Sequence, residues 1–169
     1  MTTANSVSSD ADSEDGVDAQ YLSFTLGEED YGIDILRVRE IKGWETVRTL
    51  PDMPESIKGV LDLRGVIVPI IDLRTRFNVG NAEYTPTTVT IVLTIKVGDE
   101  EQVMGVVVDS VSDVLDISAQ DLKAAPNLGT RVNIRFIKGM VTLGERIVVL
   151  LDVDKLMNPD ELGLIESLT

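Results

Sequence analysis

Apolar and polar residues alternate with period two along much of this chain, which is the signature of half-buried β-strands. Leu22, Phe24 and Leu26 alternate with Ser23 and Thr25, and after a polar turn at 27–30 a second strand runs through 31–35. Residues 36–41 continue that strand or bend it. Pro51 and Pro54 bracket a loop, 55–60 reads as one helical turn, and 61–63 leads into a tight turn at Arg64-Gly65. The run 66–73 is then a strand, with Pro69 placing it at an edge or a bulge. Asn, Gly and Pro between 77 and 86 mark a linker. Beyond it Val89, Ile91, Leu93 and Ile95 alternate with Thr90 and Thr94, 103–108 pairs back across an acidic turn, and 110–117 follows. Ser118 caps a short helix around Leu122, 123–133 is loop, and 135–143 and 146–153 form a hairpin. Asn158-Pro159-Asp160-Glu161 opens a C-terminal helix over 158–168, carrying Leu162, Ile165 and Leu168. Short strands at regular spacing favour small barrels over a doubly wound sheet.

One stretch is written twice. Residues 57–73 lie over 137–153 without a gap, and seven of the 17 pairs are identical. Residues 31–35 match 104–108 in the same way, each after an apolar run and an acidic turn. A duplication predicts two similar β-rich lobes, neither able to bury a large core alone. Lobe 1 is expected at about 20–80 and lobe 2 at about 86–157, and the repeat allows strands to be exchanged between them. The copies disagree most sharply at Arg64-Gly65 against Gly144-Glu145.

Composition sharpens this picture. With 169 residues, 43% hydrophobic but only 4% aromatic, the core must be built from Val, Ile and Leu. Residues 1–19 hold almost no large apolar side chain and predict a disordered acidic tail. The net charge is −14, of which the first 20 residues carry −5 and the remaining body −9. Such a surface repels phosphates and argues against nucleic acid and anionic membrane as partners. Cysteine and histidine are both absent, which removes thiol chemistry, the commonest general base and the commonest metal ligand. No cofactor or metal is expected. No apolar run reaches spanning length, and no basic-then-apolar leader opens the chain, so a cytoplasmic protein without direct membrane insertion is expected.

Few constellations carry chemistry. Asp72 and Asp152 are equivalent residues of the two copies, and a duplicated fold can bring such carboxylates together as a shared-proton pair. Against that, Asp72 is followed by Leu73-Arg74 and Asp152 by Val153-Asp154, so that each carboxylate instead ends its strand and holds a turn. A small-ligand-binding β module is a third, weaker idea. Arg64 has two readings of equal standing: a surface residue of a turn for which Gly65 supplies the positive φ, or a charged anchor for an acidic partner. The apolar runs 67–71 and 147–151 fit an inter-lobe core, or a face left open to a partner. Val38 and Glu40, beside Arg37 and Arg39, pose the same choice between a solvated strand end and a contact.

Several segments together resemble the CheW family of chemotaxis coupling proteins. They are Phe24-Thr25-Leu26-Gly27, residues 31–36, Ile57-Lys58-Gly59, the Leu63-Arg64-Gly65…Pro69…Asp72-Leu73-Arg74 string, residues 108–115 and Leu156-Met157-Asn158. The resemblance runs from about Tyr21 to Leu168. It implies a mainly all-β fold of duplicated, SH3-like five-stranded barrels on a shared hydrophobic core. It also implies a non-enzymatic adaptor, recruited to membrane-associated receptor arrays. There it would join the cytoplasmic tip of methyl-accepting chemoreceptors (MCPs) to the regulatory domain of the histidine kinase CheA, with self-association in rings as a further contact. Carried over residue by residue, receptor binding falls on Val38, Glu40, Arg64, Ile67, Thr88 and Val89, and kinase binding on Gly59. Asp62 departs from the usual Asn and adds a negative charge two residues before Arg64.

Overall fold

The computed structural model describes residues 19–80, 82–123 and 132–168. Ten strands follow one another as β1 (Ala19–Leu26), β2 (Glu29–Asp34), β3 (Val38–Gly43), β4 (Ile57–Leu63), β5 (Val66–Asp72), β6 (Val89–Val97), β7 (Glu100–Val108), β8 (Ser110–Ile117), β9 (Ile137–Leu143) and β10 (Arg146–Leu151). Among the described residues two α-helices accompany them, α1 (Leu73–Phe77) and α2 (Pro159–Leu168), with four short 3-10 turns.

The strands form two five-stranded sheets, β9-β10-β2-β1-β8 and β3-β6-β7-β5-β4, each an SH3-like barrel. Under the internal repeat β1 corresponds to β6, β2 to β7, and β3, β4, β5 to β8, β9, β10. Each barrel therefore takes its first two strands from one copy and its other three from the second. The joints are two equivalent parallel pairings, Val148–Leu150 with Asp30–Gly32 and Ile70–Asp72 with Gly105–Val107.

This exchange explains why the strands are apolar on both faces. One face fills a barrel: Tyr21, Leu115, Ile117, Val141, Val148 and Leu150 in the first, Leu61, Val68, Ile70 and Val107 in the second. The opposite face supplies the larger core between the barrels, which includes Leu22, Phe24, Ile71, Ile91 and Leu151. The scarce aromatics concentrate there. Phe24, Tyr31, Phe77 and Phe136 form a chain of ring contacts at 5.9, 6.3 and 5.1 Å between centroids. Truncating one such ring to Ala typically costs about 3–5 kcal/mol. The C-terminal helix begins as its sequence predicts: Glu161 N donates to Asn158 Oδ1 (2.7 Å) and Asn158 N to Glu161 Oε1 (3.2 Å).

Four local expectations are corrected. Residues 57–60 are strand, not helical turn, because Val60 exchanges backbone hydrogen bonds with Arg48 while β4 pairs with β5. Pro69 lies on an interior strand, at a point the parallel ladder with β7 does not reach, since that ladder starts at Ile70. Residues 73–77 form a short helix where the pattern ends a strand at 73 and opens a linker at 77, although Asp72 does end its strand and hold the turn as expected. Ala19 belongs to β1, paired with Ile117, while the rest of the expected tail lies outside the described residues.

Candidate functional site

The β4–β5 hairpin closes with Arg64 at φ 53° and Gly65 at φ 89°. Two successive positive φ values are the type I′ geometry that matches strand twist in a two-residue hairpin. The sequence accounts for Gly65; that Arg64 shares the left-handed region was not legible, and there an L residue is disfavoured by roughly 1–2 kcal/mol. Asp62 Oδ1 accepts from Gly65 N at 2.8 Å, so this carboxylate braces the turn. The Arg64 side chain is 79% exposed, and its Nη2 donates to Glu40 Oε1 at 2.5 Å. A bulge between Val38 and Glu40 sets the local register of β3 against β6. Beneath the ion pair lies a recess of about 130 Å³, lined by Arg39, Glu40, Leu63, Arg64, Val66, Val68, Val92 and Val103. Val66 and Ile67 flank the turn, 51% and 39% exposed. A cation, an anion and an apolar patch thus meet at one barrel end.

The carried-over residues do not all meet there. Glu40, Arg64 and Ile67 meet at the tip, whereas Val38 packs against the core between the barrels and Val89 pairs with Gly43 at the other end of β3. Val89 is three residues from Val92, the partner of Glu40, or roughly 10 Å along β6. Thr88 is only 2% exposed, and its hydroxyl accepts from Thr85 N at 2.8 Å. Its side chain therefore holds a turn and presents no surface. Gly59 is also buried, at φ 148°, where an added Cβ would overlap the Arg48 carbonyl of the segment crossing over it. Its role in the structure is to let that segment pass.

Asp72 and Asp152 both act as helix caps, accepting from Arg74 N (3.0 Å) and Asp154 N (3.2 Å). Asp72 is fully buried, and both its oxygens accept from the Arg74 guanidinium, at 3.0 and 2.9 Å. Arg74 also donates to Asp109 Oδ1 (2.9 Å), whose other oxygen accepts from Gly27 N (2.8 Å) in the opposite barrel. The second joint reverses the charges. Asp154 accepts from both Arg37 Nη atoms, at 2.7 and 3.0 Å, and from Lys96 N at 2.8 Å. Its hydrogen bonds from Arg37 hold the Asp154 carboxyl below its usual range, against the opposing effect of burial. Burial would raise the Glu161 carboxyl, but hydrogen bonds and charge from Arg76 outweigh it and hold it low. Apart from the neighbouring Asp72–Arg74 pair, the members of these networks stand far apart in the chain and are not legible in local sequence. Among the described residues no group of three or more His, Cys, Asp or Glu is placed to hold a metal ion, and no helix is long and apolar enough to cross a membrane.

Comparison with known proteins decides the family. The CheW-like domain matches residues 20–161. The chain belongs to the CheW family. It is 44% identical to the chemotaxis protein CheW of Klebsiella aerogenes over 151 residues, covering 89% of each chain. Against the chemotaxis protein CheW of Rhizobium meliloti identity is 31%, over 84% of this chain and 89% of the relative. The crystal structure of the scaffolding protein TtCheW from Thermoanaerobacter tengcongensis superposes with a TM-score of 0.74 at 26% identity, covering 85% of this chain and 90% of that one. Family and fold together make the protein a chemotaxis scaffold.

Proposed function

We propose that this chain is a non-enzymatic adaptor that joins the cytoplasmic tip of methyl-accepting chemoreceptors to the regulatory domain of CheA, working in the cytoplasm at membrane-associated receptor arrays. The observation that carries the receptor half is Arg64. An arginine in a left-handed turn conformation is a cost the hairpin does not require, since the second hairpin closes with Gly144 in the same place. Held there, the guanidinium stands out from the barrel with Glu40 beside it and Val66 and Ile67 exposed around it. An acidic receptor residue can take up paired hydrogen bonds from such a guanidinium, and the apolar rim excludes water from the pair. Asp72 and Asp152 are engaged as helix caps, so nothing favours a hydrolase instead.

The test is Arg64→Glu. If the pair is desolvated in the complex, receptor affinity should fall by roughly 2–5 kcal/mol, while the thermal midpoint and binding to the kinase regulatory domain stay near wild type. Both partners weakening together, or an unfolded variant, would assign Arg64 to the fold instead.

A further inference from the structure

Thr88 is an expected receptor contact, yet it is buried. Its hydroxyl accepts from Thr85 N at 2.8 Å and donates to the Glu83 carbonyl at 3.3 Å. The same carbonyl accepts from Arg74 Nη1 at 2.6 Å. Arg74 in turn grips Asp109, which holds Gly27 N of the other barrel. On its backbone side Thr88 O accepts from Trp44 N at 3.2 Å, and the Trp44 ring lies flat on Tyr84, 4.2 Å between centroids and 7° between planes. Tyr84 lies within 5.3 Å of the Arg74 guanidinium. Hydroxyl, carbonyl, guanidinium and stacked rings all converge on the turn that delivers the chain into Val89 and β6.

We infer that Thr88 is a positioning residue: through the Glu83 carbonyl that it shares with Arg74, it fixes the 85–88 turn, so that Val89 and the end of β3 are presented to the receptor in one arrangement. This rests on the adaptor reading and refines it, because the side chain acts through the turn and touches no partner. A buried hydroxyl that accepts one hydrogen bond and donates another cannot be replaced by a methyl without orphaning the Thr85 amide. The turn then samples other arrangements, and apparent affinity falls with the fraction that remains competent.

The full chain is tested with a chemoreceptor cytoplasmic fragment and, separately, with the kinase regulatory domain, using Thr88→Val and Thr88→Ser. Thr88→Val keeps the shape and should lower receptor affinity about tenfold with kinase affinity unchanged; Thr88→Ser keeps the hydroxyl and should restore receptor binding. Trp44 is the single tryptophan, so its emission in the unbound protein should shift in Thr88→Val and return in Thr88→Ser. Receptor binding by Thr88→Val within twofold of wild type, equal loss of both partners, or no recovery with serine would each overturn the inference. Should Thr88→Val fail to fold, hydrogen exchange in the wild type decides. The Thr85 amide should exchange about a hundredfold more slowly than an open amide, and free exchange there overturns the inference. A wild type that does not bind the receptor fragment instead sinks the adaptor reading itself.

Discussion

From Ile57 to Arg74 and again from Ile137 to Asp154, the chain runs through the same succession of bulge, hairpin, capping aspartate and helical turn. The two runs agree in what builds a barrel. Both bulge one residue before a buried glycine, Gly59 or Gly139, and both expose an isoleucine near the tip, Ile67 or Ile147. They part at three places. Both glycines lie under a crossing segment, bridged through Arg48–Val60 and Lys123–Met140, but only Gly59 has a positive φ, and the backbone passes closer over it than over Gly139, where the Leu122 side chain is nearest. The first tip carries Arg64 toward Glu40; in the second, Arg146 beyond the turn is drawn to Asp30 and Ser23. Finally, Arg74 and Asp154 occupy equivalent positions with opposite charge, each facing an opposite partner, Asp109 or Arg37. An ion pair thus stands at each joint between the barrels, with its polarity reversed. At the hairpin tip one copy places Arg64 and the other Gly144 in the same left-handed conformation.

The joints should show the largest difference. Arg74 and Asp72 are buried to within 1% of full burial, while the Arg37 and Asp154 side chains are each 28% exposed. Arg74→Met strands a buried carboxylate and should cost about 3–5 kcal/mol. Arg37→Met gives up a partly solvated pair and should cost about 1 kcal/mol, both read by denaturant unfolding at neutral pH. Because Arg37 holds the Asp154 carboxyl low in the folded state, that pair's contribution is complete above the unfolded carboxylate range and is lost as pH falls through the lowered folded value. The gap between wild type and Arg37→Met should therefore shrink on acidification. Equal losses in the two variants would erase the distinction between the joints.

The bulge glycines come next. Gly59→Ala sets a Cβ against backbone in a conformation that L residues rarely adopt, and should cost about 3 kcal/mol. At Gly139 a Cβ meets the Leu122 Cδ1 position at 2.7 Å, a side-chain tip that can turn away, and the Lys123 carbonyl at 3.0 Å. Gly139→Ala should cost about 1 kcal/mol. If the two midpoints drop equally in thermal melts, the crossing segment at 48–49 is softer than its geometry indicates.

Much of this was legible in the sequence, and what was not has a common physical cause. The repeat, the period-two strands, the doubly apolar runs and the Asn158 cap are local patterns, and each appears as read. Arg74 reads from the sequence only as part of a string, because its pairing with Asp109 across the joint comes from the exchange of strands between barrels, and nothing local shows that its neighbour Asp72 is buried. Residues 57–60 misled for the same reason: the strand there is stabilised by Arg48, a partner across a loop that no local pattern encodes. Thr88 shows the limit of carrying a site over by resemblance. A position can matter to binding while its side chain faces inward, and burial, which decides between contact and support, is invisible in one sequence.

The smallest effect is the most discriminating, since it separates the tip from the hairpin that bears it. Arg64 sits at φ 53° and Gly144 at φ 63°, and no atom outside the immediate neighbours approaches within 4 Å of a Cβ built on Gly65 or Gly144. Arg64→Gly relieves a left-handed residue of about 1–2 kcal/mol. It also makes the unfolded chain more flexible, which returns about 0.4–1 kcal/mol, and it loses an exposed ion pair with Glu40 worth about 0–1 kcal/mol. The net change should be close to zero, or a gain of about 0.5 kcal/mol. The reciprocal Gly144→Arg has the same backbone cost; Asp113, which stands in Glu40's place in the second copy, offers at most an exposed pair worth about 0–1 kcal/mol, and the net loss should be about 1 kcal/mol. Receptor affinity should fall in Arg64→Gly and stay unchanged in Gly144→Arg, measured by titration with the receptor fragment. A loss of more than about 1 kcal/mol of stability in Arg64→Gly would mean that the Glu40 pair secures the β3 edge to the hairpin. The arginine would then belong to the barrel as much as to the receptor.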